Sequence, residues 1–246
     1  MSTTRPTYAR LFLSCSHGIT ELNQTLVLTG DDLEPAIELL ATCIGEIPLY
    51  SWLLGERITD TDLRRWLAEI LVRPMLDAGC VIGSRHDGQL VGMVIWQPHD
   101  VDLSPDGTPP LTPADFTRLA TVPGVRERMV ELLTGPQLPR PAADAVDLRI
   151  AAVSAAARGS RAMTDMMREV EKFCVTTSRP YYAWTGSPRL RDWYSQAWGA
   201  SVFAVEEWNG ITMYGLVSER PPRPRPESAR YREISSPQRR SSSPIV

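Results

Sequence analysis

Val153-Ser-Ala-Ala-Ala-Arg-Gly-Ser-Arg-Ala-Met163, VSAAARGSRAM, joins an apolar run at 146–153 (VDLRIAAV) to a stretch with helical spacing at 163–173 (MTDMMREVEKF). A strand that turns into a helix at this point leaves the first helical N–H groups unpaired, and their partial positive charge suits a phosphate. Close approach of the backbone to an anion requires little side-chain bulk, so such turns favour glycine. Here Gly159 is the single glycine, flanked by the small residues Ser160 and Ala162 and by two cations, Arg158 and Arg161. Met163 shares helical spacing with Met166, Met167 and Val170, which predicts that its side chain turns inward to the core.

The elements around this turn alternate. The helix is expected over 158–176, followed by a strand at 181–185, a helix at 188–198, and strands at 201–206 and 211–218 separated by the turn residues Asn209 and Gly210. Upstream, two apolar runs flank Asp87-Gly88 within 79–96, and that dipeptide supplies the positive φ angles of a tight hairpin. Leu33, Ile37, Leu40, Ala41 and Ile44 define one helix, and Leu63, Trp66, Leu67, Ile70 and Leu71 another over 60–78. A short apolar helix or turn follows Pro48, and a short strand is expected at 25–28. The proline-rich section 97–145 reads as an insertion over the core, with helices at 113–120 and 125–133. These elements predict an α/β (α+β mixed) fold, with a mixed, mostly antiparallel twisted sheet flanked by helices. One domain is expected over 22–218. An irregular arm precedes it at 1–21, and a Pro/Arg/Ser-rich tail at 219–246 should stay disordered.

Composition narrows the function classes. The 246 residues are 43% hydrophobic and 22% charged, and no apolar run approaches the roughly 18 residues of a membrane span. No secretory signal pattern follows Leu11-Phe-Leu13, so the expected location is the cytoplasm, away from membranes. A net charge of −3 argues against general nucleic-acid binding, because the arginine excess of the tail lies outside any expected folded face. Cys15, Cys43, Cys80 and Cys174 form no C-x-x-C pair, and with three histidines they predict neither a zinc site nor a disulfide framework. There is no G-x-S-x-G elbow and no G-x-G-x-x-G set, which sets aside serine hydrolase and dinucleotide-binding readings.

The order of strand, helices, hairpin, long strand, glycine-bearing turn, helix, strand, helix and two strands resembles the Gcn5-related N-acetyltransferase superfamily. Members place a V-x-P-x-x-Q/R-G-x-G-x-G segment after the fourth strand. Val153, Arg158 and Gly159 match it, whereas Ala155, Arg161 and Met163 stand at the usual Pro, Gly and Gly. Further on, Ser187-Pro188 opens a helix that carries the aromatic pair Trp193-Tyr194 and is followed by Gly199, as the family often does. The likeness spans about residues 25–218.

That resemblance implies acetyl-CoA or another acyl-CoA as cosubstrate, with no metal. Val153, Arg158, Gly159, Ser160, Arg161 and Ala162 would receive its pyrophosphate, and the Val153 backbone region would polarise the thioester carbonyl. It also implies Tyr194 as the general acid that protonates the departing thiolate. The acceptor would be the amine of a small molecule, bound by a monomer or homodimer. Glu46 is the general base selected from three acidic residues expected near the cleft, the others being Asp147 and Glu206. Tyr50, Trp52 and Trp96 are expected to wall the acceptor pocket, with core packing as the competing role. The departures from the glycine pattern sustain a second reading. In it the fold is kept, productive CoA binding is lost, and another small molecule or a partner protein is bound instead.

Overall fold

A computed structural model of the chain describes residues 24–103 and 111–222. The expected arm at 1–21 and nearly all of the tail at 219–246 lie outside the described residues.

Among the described residues, seven strands form one sheet in the order β1-β2-β3-β4-β5-β7-β6. They are β1 Gln24–Val27, β2 Val81–His86, β3 Gln89–Gln97, β4 Val146–Val153, β5 Tyr181–Thr185, β6 Ser201–Trp208 and β7 Ile211–Val217. Every neighbouring pair is antiparallel except β4 and β5, which run parallel. The two tight turns form as the sequence predicts: Asp87-Gly88 has φ of 49° and 77°, and Asn209-Gly210 has φ of 49° and 76°.

Helices cover both faces. On one lie α1 Leu33–Cys43, α2 Pro48–Leu54 and α3 Thr61–Asp77; on the other lie α6 Ala162–Thr177 and α7 Pro188–Trp198. The insertion carries α4 Pro113–Ala120 and α5 Pro123–Thr134. It does more than cover the core, since Leu119, Val125 and Met129 are buried within the α1–α3 cluster. The Trp66 indole donates to Asp115 at 2.7 Å, and Arg128 donates to the Leu53 carbonyl at 2.8 Å, bracing α2.

A bulge in β4 sets which side chains meet. Ile95 pairs with Ile150, but Trp96 pairs with Leu148, leaving Arg149 as the extra residue. The added residue reverses the alternation. Val146 and Leu148 therefore pack under α6, whereas Ile150 and Ala152 pack under α1 and α3.

Gly215 in β7 permits a close approach. A Cβ there would lie 2.7 Å from Phe203 Cζ and 2.9 Å from Trp184 Cη2, rings that pack edge to face at 5.3 Å. Gly215→Ala should therefore destabilise the fold by about 1–3 kcal/mol through overpacking, seen as a lower midpoint in thermal or denaturant unfolding. An unchanged midpoint would mean that the two rings reposition freely.

Candidate active site

The parallel pair β4 and β5 stays together for three residues only. Val146, Asp147 and Leu148 face Tyr181, Tyr182 and Ala183. Beyond them β4 continues along β3 to Val153, while Trp184 and Thr185 follow β7. The strands thus open a wedge in the sheet, and the edge of β4 from Arg149 to Val153 carries backbone groups that no strand pairs on the wedge side among the described residues.

The turn after β4 stands at the mouth of this wedge. Ala155–Ala157 form one 3-10 turn, Arg158 is extended at φ −65° and ψ 140°, and Gly159 takes φ +81°, where side-chain-bearing residues are strained. These two residues delay the helix, so α6 begins at Ala162 and not at the expected 158. Space around Gly159 is open, with nothing within 4 Å of where a Cβ would lie. The Ala162 N–H is capped by the Ser160 hydroxyl at 3.2 Å. Met163 is turned onto the α6 core cluster, as its spacing predicts, which takes its thioether away from the mouth. Arg161 is exposed and lies 3.8 Å from Asp165.

Arg158 and Glu46 meet each other. The guanidinium donates to the Glu46 carboxylate at 2.7 Å and to the Val153 carbonyl at 3.4 Å, and the Cys43 thiol lies 3.8 Å from the same carbonyl. Glu46 is therefore an exposed partner of the loop arginine, at the mouth of the wedge and not at its apex. Glu206 is exposed on β6, the last strand of the sheet.

The apex is occupied by a different acidic group. Asp147 stands opposite Tyr182 in the β4–β5 pairing and lies 3.8 Å from Arg149. Burial raises its pKa above the usual carboxylate range, against the lowering pull of Arg149, the Tyr182 hydroxyl and Arg140. Burial also pushes the Tyr50 hydroxyl up to about 12, with the Arg149 and Asp147 charges acting on it, and raises that of Tyr182. Sequence reading named Asp147 without ranking it first. Tyr182 was missed, because only the β4–β5 register places it beside Asp147.

The three aromatic residues expected to share a wall do not share a face. Tyr50 and Trp52 belong to α2, where Trp52 packs edge to face on Trp208 at 4.7 Å. Trp96 points to the opposite side, 2% exposed, and packs on Phe173 of α6 at 4.9 Å. It is a core residue there, because alternation along β3 sends Trp96 to the α6 side and Ile95 to the other.

Tyr194 lies on α7, which starts at Pro188 with Ser187 as its cap and ends at Gly199 in the left-handed region. It stacks on Trp198 at 4.6 Å, and Trp198 packs against the α6 cluster that includes Leu148 and Ala183. Tyr194 is one helical turn from Trp198 and lies on the same side of α7.

No protein-family model matches the sequence, and no curated protein sequence matches it. Solved structures do match by shape. A structure described as histone acetyltransferase HPA2 and related acetyltransferase, from Corynebacterium glutamicum ATCC 13032, superposes with a TM-score of 0.59 at 16% identity, covering 82% of this chain and 97% of its own. The fold is that of the Gcn5-related N-acetyltransferases. A candidate arylalkylamine N-acetyltransferase 7 from the yellow fever mosquito Aedes aegypti gives a TM-score of 0.51 at 12% identity, covering 79% of this chain and 86% of its own. The glycine turn and the start of α6 follow directly on the end of β4 that β5 leaves unpaired. Among the described residues, no cluster of three or more His, Cys, Asp or Glu side chains is placed to hold a metal. No single helix among them is long and apolar enough to cross a membrane.

Proposed function

We propose that the protein is an acyl-CoA-dependent N-acyltransferase acting on the amine of a small molecule. The observation that carries this reading is the wedge between β4 and β5, with the Gly159 turn and the N-terminus of α6 at its mouth. A pantetheine arm is a slender chain with amide groups. The unpaired edge of β4 offers it a line of N–H and C=O partners, while the N–H groups of α6 face its pyrophosphate. Arg158, Ser160, Arg161 and Ala162 surround that position, and Val153 closes the strand behind it.

The two faces of the wedge divide the proton transfers. On the α2 face, Asp147, in place of the exposed Glu46, takes the one proton that the neutral amine gives up as it adds to the thioester. The amine nitrogen bonds to the thioester carbon, N–H groups of the β4 edge polarise the carbonyl, and the C–S bond breaks. On the α6–α7 face, Tyr194 donates its hydroxyl proton to the leaving thiolate, so that an amide and a free thiol result. The reading places the protein in the cytoplasm, without nucleic-acid or membrane partners, as a monomer or homodimer.

The second reading, a fold that has lost CoA binding, draws on Ala155, Arg161 and Met163 and on the engagement of Arg158 by Glu46. The orientation of Met163 weakens it, since the added side-chain bulk faces the core. Acetyl-CoA should raise the unfolding temperature of the purified protein in a concentration-dependent way, because a ligand of the native state alone stabilises it by linkage. No shift at millimolar acetyl-CoA would remove the transferase reading and leave the second.

A further inference from the structure

Arg149 owes its place to the bulge in β4. As the extra residue opposite β3, it stands between Leu148, which packs under α6, and Ile150, which packs under α1 and α3. A bulge breaks the strict alternation of a strand and re-aims a side chain, so Arg149 can share a side with Asp147 while its neighbour Ile150 stays in the core. The Arg149 Nε lies 3.8 Å from the Asp147 Oδ2. Arg149 is also the first residue of β4 beyond the three that pair with β5, so it stands where the wedge opens.

No other group competes for either partner. Among the described residues, no second carboxylate lies within ion-pair distance of Arg149, and no second cation lies within that distance of Asp147. The groups that face Asp147 from other elements are Tyr182 on β5, Gln97 on β3, Tyr50 on α2 and Arg140 in the segment before β4. The Gln97 amide is committed to the Val101 carbonyl at 3.2 Å. Burial keeps both tyrosine hydroxyls neutral far above neutral pH, and Arg140 lies beyond ion-pair distance. Arg149 is thus the permanent charge nearest the carboxylate among the described residues.

We infer that Arg149 is a positioning residue: its guanidinium holds the Asp147 carboxylate ionised at the apex of the wedge and so fixes the pH above which the site can take a proton from an amine. The catalytic consequence rests on the reading of Asp147 as the base, but the pairing itself does not. A carboxylate drawn out of water without a cation beside it binds a proton, and a protonated carboxyl cannot accept a second from the amine. An opposite charge at about 4 Å favours the ionised form by about one to three pH units, and the solvent that reaches 44% of the Arg149 side chain puts its effect at the lower end. The same cation disfavours an ammonium ion in the wedge and favours the neutral amine, the form that attacks a thioester.

The test follows the Asp147 carboxyl carbon by NMR across pH in the full chain, its signal identified as the one missing from Asp147→Asn. Arg149→Gln removes the charge and keeps a polar side chain, and the midpoint should rise by about one pH unit, a tenfold change in proton affinity. Arg149→Lys restores the charge, and the midpoint should return most of the way. An unchanged midpoint in Arg149→Gln, or one that Arg149→Lys fails to bring back, overturns the inference. The acidic limb of kcat/KM, measured on the same variants, should move with the midpoint. A midpoint that moves while the limb stays supports the pairing and removes Asp147 as the base, so the two failures are told apart.

Discussion

Asp147→Asn is expected to lower kcat/KM by about a hundredfold while leaving the fold as stable as the parent, or slightly more stable, at neutral pH. A positioned base contributes roughly 10²–10⁴ to such a reaction, and asparagine keeps the shape but cannot take a proton. The stability sign follows from the direction of the shift. Burial raises the pKa of Asp147 in the folded chain above its unfolded value of 3.8, so the native state binds the proton more tightly. The stabilisation from this group is complete below the unfolded pKa and is lost as pH rises through the folded one. At neutral pH its buried charge opposes folding, and removing that charge relieves the opposition. Activity runs the other way. The acidic limb of the pH profile should lie above the range of an ordinary carboxylate, and it should vanish in Asp147→Asn. A variant as active as the parent, with the same acidic limb, would exclude Asp147 as the base and return attention to Glu46.

Tyr194→Phe is expected to lower kcat by one to two orders of magnitude with little change in KM for the acyl donor. The substitution deletes only the hydroxyl, so the stacking on Trp198 and the packing of α7 persist. A loss confined to kcat marks an interaction made in the transition state, as protonation of a departing thiolate would be. Donors with a more acidic thiol need that proton less, so the deficit should shrink with acyl donors of lower thiol pKa. An equal deficit for all donors would assign Tyr194 to packing, the role its neighbours Trp193 and Trp198 fill.

Most of the secondary structure was legible because it rests on local rules. Helical spacing in α1 and α3, the Asp87-Gly88 and Asn209-Gly210 turns, and the alternating run of β4 each depend on residues a few positions apart. The inward turn of Met163 was legible for the same reason, since its neighbours are Met166 and Met167 one turn away. Glu46, by contrast, reads in sequence as an acidic residue near the cleft, and the structure reveals its partner as Arg158, more than a hundred positions distant.

The sequence by itself determined the order of elements, the glycine-bearing turn, a helix that follows it, and the acetyltransferase-like plan these describe. Tertiary structure decided which side chains face one another. The bulge at Arg149 cannot be counted from β4 alone, because it exists only relative to β3, yet it sends Asp147 to the α2 side. The three-residue pairing of β4 with β5 then sets the apex of the wedge and places Tyr182 opposite Asp147. For Trp96 the sequence left a pocket wall and core packing open for the same reason: alternation tells that neighbouring side chains oppose each other, but only packed helices decide which face is core and which is open.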